Sequence, residues 1–443
     1  MVYVFKLPTT SHLSIQTFLT SSTHPSLPQT ASTARHALRL ALKTHKRLPS
    51  GAQRDFHLPK ILAALNDYLS YLFAISHGLS GKAKDNSLGE EIEITLRTEV
   101  EAEWRATLTT TSPLSSSFKN TGPEQKNGRV RGRGIDFEIA FTLSTLGYVL
   151  SGLARSGLLR TLYSVRTPTS EQRTTAIQTA TRHLLQVSAV HTLLASSPSH
   201  FSVTSAVVDL DRSTQSALSS LALAEATLLA VLKDDVYVSA CIQARNPYDK
   251  DWMVGAPEVP KVRALLFARL CVRAAEYADQ AAAGLGSVHA EARHHIESDL
   301  VKYAIALGRV AWAKACRFFG IDAELAGKVG EAIAWLRAAR STLTLRGGSA
   351  FADESKQTVK SKGLGGGLSK LKREWTERRE EKMLEKDAGG KDHHVEKGGL
   401  LDCGDSAGRD EEARVIEMLE AKWVKMNNTV SLMLHCLLSS FLF

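Results

Sequence analysis

Leu221–Lys233 reads LALAEATLLAVLK, and the fold of the chain turns on how this stretch is buried. Ala222, Ala224 and Ala226 are set among Leu221, Leu223, Leu228, Leu229 and Leu232. Small side chains let neighbouring helices come close, and leucines fill what lies between them. A helix that is apolar on most faces belongs inside a larger helical assembly. The stretch falls within a helical run expected from about Val203 to Gln243. It sets an all-α class, a helical scaffold whose work is to hold partners.

The rest of the chain extends this pattern on both sides. Thr30–Arg47 reads as a helix with Thr30 or Ser32 as its N-cap. Leu58, Ile61, Leu62, Leu65, Leu69, Leu72 and Phe73 follow helical spacing, with Pro59 in the first turn. Val2–Pro8 and Glu91–Arg97 alternate apolar and polar residues and read as strands of a small sheet near the N-terminus. Thr109–Gly134, ending in NGRVRGRG, reads as a loop whose arginines are solvated. Long helices follow at Ile135–Arg155 and at Thr169–Leu194. The second carries Ile177, Ala180, Leu184, Val187, His191 and Leu194 on one stripe, which makes His191 a core histidine. Past a turn-rich break at Asn246–Pro260 come Lys261–Ala283, His289–Phe319 and Asp322–Leu345. Successive antiparallel helices joined by short turns describe a stack of helical repeats, although no strict sequence period is present. Two flexible inserts, 346–369 and 387–409, flank a charged helix at Lys370–Lys386, and Asp410–Met426 closes the array with Val415, Ile416, Leu419 and Trp423 on one face.

The totals narrow the function. The 443 residues carry 55 basic and 46 acidic side chains, a net charge of +9 that is spread thinly along the chain. This favours acidic partners or an anionic surface in general, and no nucleic-acid partner is expected. The five cysteines are scattered, with no CxxC pair, as in a reduced intracellular protein. No basic segment followed by an apolar one opens the chain, and no run reaches the roughly 18–20 apolar residues of a membrane span. A cytoplasmic protein is expected. There is no GxSxG elbow, no HExxH and no P-loop; Gly363–Leu368 lacks the lysine a phosphate cradle needs. His294-His295 and His393-His394 are adjacent pairs with no second ligand cluster, and neighbours on a helix point apart. No catalytic residue, cofactor or metal is expected.

A series of phrases, in order, carries a family resemblance. YVFKLPTT opens the chain, followed by HPSLPQTAST and LKTHKRLP, then GIDFEIAFTLSTLGYVLSGLAR and TAIQTATRHLLQVSAVHTLL. SLALAEATLLAVLK, VRALLFARLCVRAAEYADQA, GKVGEAIAWLRAAR and EMLEAKWVKMNNTV complete it. Together they resemble the BRO1 family, in its short branch of fungal pH-response regulators, over a domain of residues 1–429. The central phrase departs from the family pattern, with Glu225 where its first Gln stands and Thr227-Leu228 in place of the later Gln-Glu. The resemblance implies an elongated, curved helical solenoid without enzymatic activity. It also implies a hydrophobic patch that receives the C-terminal amphipathic helix of an ESCRT-III subunit of the Snf7/Vps32 type, alongside other pH-signalling components. Membrane association at plasma-membrane or endosomal sites would come through those partners. By position, the patch is expected at Leu146 and Val149, at Leu228 and Leu232, and at Ile416 and Leu419. The function implied is an adaptor that supports proteolytic activation of a pH-responsive transcription factor; a general endosomal-sorting adaptor is the alternative. The apolar ending, 430–443, departs from the polar, proline-containing tail of the family and is read as the product of a gene model running through an intron.

Overall fold

The structure is a computed structural model in which residues 2–80, 92–110, 129–164, 166–196, 207–243, 261–291, 295–344 and 407–440 are described. The chain divides into one unit of Met1–Thr344 with Asp402–Phe443 and a second of Leu345–Leu401. The second unit, which holds the expected charged helix 370–386 and the insert 346–369, lies outside the described residues. So do all but the last three residues of the insert 387–409, the whole break at 246–260, and 111–128 of the expected loop.

In the first unit the helices are α1 (Leu27–Arg47), α2 (Ala52–Leu79), α3 (Ile135–Leu162), α4 (Ser170–Ser196), α5 (Arg212–Asp234), α6 (Val236–Gln243), α7 (Lys261–Glu291), α8 (Ser298–Leu325), α9 (Val329–Thr344) and α10 (Arg409–Ser440). Each long helix packs on the next: α3 on α4, α4 on α5, α5 on α7, α7 on α8, and α8 on α9, with α10 returning against α9, α6 and α8. The strands are β1 (Leu19–Ser21), β2 (Ile94–Leu96), β3 (Glu101–Arg105), β4 (Thr109–Thr110), β5 (Arg129–Arg133) and β6 (His295–Ile296). They form antiparallel pairs β1–β2, β3–β5 and β4–β6. The fold is all-α with small β elements, as the leucine-rich stretch implied.

Local chemistry sets the boundaries. Pro28 sits in the first turn of α1, where no backbone donor is needed, so α1 begins at Leu27 after Ser26 and not at Thr30 or Ser32. Asp211 caps α5, its carboxylate accepting from the backbone N–H of Ser213 (2.8 Å) and Thr214 (3.3 Å). The run expected from Val203 to Gln243 is therefore three pieces: a 3₁₀ turn at Val208–Leu210, then α5, then α6. It breaks at Asp235, whose backbone is extended and whose carboxylate turns to accept from Val238 N–H (3.2 Å). Asp322 belongs to α8 and not to the next helix, because the turn falls at Ala326–Lys328, where Gly327 takes a left-handed φ of 79°. Likewise α8 starts at Ser298 and not at His289, since His295–Ile296 pairs with Thr109–Thr110.

Two expected strands are corrected. Val2–Pro8 joins no sheet: its backbone partner at Tyr3 is a buried carboxylate, Glu225, at 2.9 Å. β2 exists, but its partner is Leu19–Ser21. Conversely, Arg129–Arg133 is strand β5 and not a solvated loop. Its arginines alternate with Val130 and Gly132, and Gly132 faces the Phe137 ring so closely that a Cβ would stand 2.2 Å from it.

The core lies in two main apolar clusters joined through α3. One gathers α1, α2, β3 and the first half of α3 around Trp104, Phe137 and Phe141; the other runs from the second half of α3 through α4–α9 to α10. Leu221, Ala224, Leu229 and Leu232 lie in the second, so the opening stretch is core. Two helices, α3 and α5, are long and apolar enough to cross a bilayer by composition, but 83% and 72% of their most apolar windows are buried inside the protein. They are the central helices of the stack.

Candidate docking surface and the polar clusters beneath it

The six residues expected to form an exposed patch are not at the surface together. Val149, Leu228, Leu232, Ile416 and Leu419 are each 3% exposed or less. The patch is corrected for a physical reason: helices in the middle of a stack bury their leucines against neighbours on several sides, and a buried side chain is not available to a docking helix. Leu146 differs. It is half-buried, and with Leu62 of α2 it packs against Leu150, Val187 and Ala222.

α4, whose buried Val187 meets Leu146, also carries exposed apolar side chains. The inward stripe of α4 is the one the sequence named, with Ile177, Ala180, Leu184, Val187, His191 and Leu194 all buried. Leu185, Ala189 and Leu193, spaced four apart, point the other way; Leu185 is 50% and Leu193 51% exposed. Val190 lies half-buried beside them, against the same core cluster as Leu146. From Thr174 to Ser196 the only side chains of α4 that carry or can take up charge are Arg182, His183 and His191. The outward face is thus a shallow, almost uncharged strip. At the other end of α4, where α3 turns into it, an open cleft of about 850 Å³ is floored by Ala154, Gly157, Ala176 and Ala180 and rimmed by Arg160, Arg166 and Glu171.

Beneath this surface, buried polar groups fix the helices in register. His191 Nδ1 and Gln215 Oε1 are 2.6 Å apart, and Gln215 donates to the Asp209 carbonyl. Burial pushes the His191 pKa down to about 4, so this core histidine is neutral. Gly147 of α3 makes room for its ring, since a Cβ there would lie 2.6 Å from Nε2. Asp209 accepts from the backbone N–H of Thr107 (2.7 Å) and Leu108 (3.2 Å), tying the strand region to α5, and burial raises its pKa to about 6.

Glu225, the acid of the opening stretch, accepts from Tyr303 Oη–H of α8 (2.8 Å) as well as from Tyr3 N–H. Burial raises it to about 7, with those two hydrogen bonds pulling the other way. The folded chain therefore holds a proton that the unfolded chain gives up from about pH 4.5 upward, and the stability drawn from it is lost as pH rises through 4.5 to 7. Glu225→Gln has no such proton to lose. In urea titrations, wild-type stability relative to the variant should fall by about 3 kcal/mol between pH 4 and pH 8. His191 has the opposite slope but is common to both proteins, so it cancels. Parallel pH profiles would show that Glu225 is not the titrating group.

Among the described residues, no group of three or more His, Cys, Asp or Glu side chains is placed to hold a metal ion. A stack of helices pinned by buried ion pairs and hydrogen bonds is the architecture of a helical scaffold. The chain is 61% identical over 442 residues to the pH-response regulator protein palC of Emericella nidulans, covering 97% of this chain and 84% of that one. The chain belongs to the palC family of pH-response regulators. No family model matches it. Similar solved structures include an ALIX BRO1–CHMP4C complex (16% identity, TM-score 0.48, covering 77% of this chain and 79% of that one) and a Bro1 domain described for endosomal targeting (14%, 0.46, 94% and 99%). ALIX with a viral late-domain peptide is a third (15%, 0.47, 77% and 40%). The family assignment rests on the palC relative and not on these distant likenesses.

Proposed function

We propose that this chain is a non-enzymatic adaptor of ambient-pH signalling that carries an ESCRT-III subunit of the Snf7/Vps32 type and so supports proteolytic activation of a pH-responsive transcription factor. The observation that supports the reading is the 61% identity, along 97% of the chain, to a pH-response regulator. The chain would act in the cytoplasm and reach plasma-membrane or endosomal sites with its partners.

The docking mode is helix in groove. Leucines of an amphipathic partner helix cover an apolar strip, and flanking charges set the register. The outward face of α4 suits it, with Leu185, Ala189 and Leu193 in line and Val190 half-buried beside them. The shortage of charge along α4 lowers the cost of drying this strip on binding.

Calorimetric titration of the chain with a synthetic C-terminal helix of such a subunit tests the reading. Micromolar binding, about −8 kcal/mol, is expected for the wild type. Leu185→Asp/Leu193→Asp should bind at least about tenfold more weakly, since each Asp places a charge in the dried strip, with an unchanged circular dichroism spectrum. No binding by the folded wild type overturns the ESCRT-III link; binding untouched by the double substitution overturns the α4 surface.

A further inference from the structure

The arginine-rich strand β5 and the basic helix α1 are tied through one carboxylate: Glu138 accepts from Arg35 of α1 and from Trp104 of β3, the strand paired with β5. α1 contains no Asp or Glu, while Arg35, Arg39, Lys43, Lys46 and Arg47 run along it. Arg35 is buried and paired with Glu138; the other four lie at the surface or near it. In the β3–β5 pair, Trp104 and Ala102 are buried, so Arg105, Glu103 and Glu101 face outward opposite Arg129, Arg131 and Arg133. Arg105 is paired directly with Arg129 across the strands, a like-charge pairing that costs stability. The acids here are already engaged, Glu103 with Arg129 at 3.4 Å and Glu101 with Arg133 at 3.1 Å. Arg39, Lys43, Lys46, Arg47 and Arg105 form no ion pair among the described residues.

These two cationic sets act on each other. After desolvation, Lys43 is held below the usual lysine range by Arg39, Arg129 and Arg47, and Lys46 by Arg105 and Arg129. A cluster that repels itself and destabilises its own strand pairing is relieved by an anionic counter-surface. Leu40 stands among these cations with 49% of its surface exposed. A helix with basic residues and an apolar one on its exposed side suits a lipid interface. No Phe, Tyr or Trp side chain, the larger platforms for stacking nucleic-acid bases, is exposed among the described residues of α1, β3 and β5.

We propose that the face formed by Arg39, Lys43, Lys46 and Arg47 of α1 with Arg105 and Arg129 of the β3–β5 pair docks directly on a membrane of acidic phospholipids, with Leu40 entering the interface. Such contact needs no ESCRT-III subunit, so its test is independent of the partner reading above.

The full chain is sedimented with vesicles of phosphatidylcholine alone and of phosphatidylcholine with phosphatidylserine at 7:3. Binding is expected only to the acidic vesicles at 0.1 M NaCl, and it should be lost at 0.5 M, where charges are screened. Each neutralised cation should weaken binding about fivefold. Lys43→Gln/Lys46→Gln/Arg47→Gln should therefore bind about a hundredfold more weakly, and Arg105→Gln/Arg129→Gln, on a different element, about twentyfold. Arg273→Gln/Lys302→Gln, on other helices, should bind as wild type. Equal binding to neutral vesicles, no binding at all, or full binding by both cluster variants overturns the proposal. Tighter binding to a duplex oligonucleotide than to acidic vesicles at the same salt assigns the face to nucleic acid instead and also overturns it.

Discussion

Arg317→Ala will lower the unfolding free energy by about 3–5 kcal/mol, the cost of leaving buried charges without their partner. The Arg317 guanidinium is fully buried and donates from Nε to Glu412 Oε1 at 2.6 Å and from Nη2 to Asp235 Oδ2. Lys314 Nζ donates to the other oxygen of Glu412, also at 2.6 Å. Two cations and two anions thus balance where the α5–α6 break, α8 and the start of α10 meet. Burial pushes the Asp235 carboxyl upward, but Arg317 and Lys314 outweigh it and hold it below the usual carboxylate range. Removing Arg317 leaves two carboxylates and one ammonium in the core, and α10 loses its anchor. Trp423 of α10 is 2% exposed, so its fluorescence reports the release during urea unfolding. Arg317→Met/Glu412→Leu should cost less than Arg317→Ala alone, because it removes one charge of each sign and leaves Asp235 with Lys314. A loss below about 1 kcal/mol for Arg317→Ala, the range of a surface pair, would show that this cluster is hydrated and does not hold α10.

Glu138→Ala should be as severe, at about 3–5 kcal/mol, and it acts at the other end of the stack. Glu138 is 0% exposed and accepts from Arg35 Nε (2.8 Å), Tyr68 Oη–H (2.9 Å) and Trp104 Nε1–H (2.7 Å). One carboxylate therefore joins α1, α2, α3 and β3. Arg35 continues the network to Thr10 Oγ1 (2.6 Å) and the Ser11 carbonyl (2.8 Å), holding the N-terminal segment. Burial pulls the Arg35 pKa down, and Glu138 with Tyr68 more than offsets it. Alanine leaves a buried guanidinium without its counter-charge, and the Tyr68 hydroxyl and Trp104 indole N–H without an acceptor. Glu138→Gln restores an acceptor but not the charge, so most of the loss should remain in chemical denaturation. Full recovery by Gln would mean that Arg35 is satisfied by Thr10 and Ser11 alone.

How far the sequence reveals this fold depends on the range of the interaction. The inward stripe of α4 and the leucines of α5 follow helical spacing, so their burial is legible from local pattern. The ionic clusters are not: Arg35 lies 103 residues from Glu138, and Arg317 lies 95 from Glu412, with no periodicity to pair them. β5 is hidden because its outward positions are all arginine, which masks the alternation with Val130 and Gly132. Val2–Pro8 alternates like a strand, yet its partner at Tyr3 is a side chain on a distant helix.

The docking residues show the same division. The leucine-rich stretch draws the eye to α5, but its leucines Leu228 and Leu232 are covered by neighbouring helices. The usable signal is the set of leucines out of phase with the buried stripe. Leu185 and Leu193 lie eight apart on the α4 face opposite Leu184 and His191, with Ala189 between them. A surface leucine pair on an otherwise well-explained amphipathic helix has no part in the core and is free to meet a partner.

The most direct test of the central claim is growth at alkaline pH of an Emericella nidulans strain that lacks its own palC protein and expresses this chain instead. The account predicts that the wild-type chain restores alkaline growth and that Leu185→Asp/Leu193→Asp, present at the same level, does not. Failure of the wild-type chain to restore growth while it accumulates folded, or equal rescue by the double variant, would contradict the adaptor reading or its docking surface respectively.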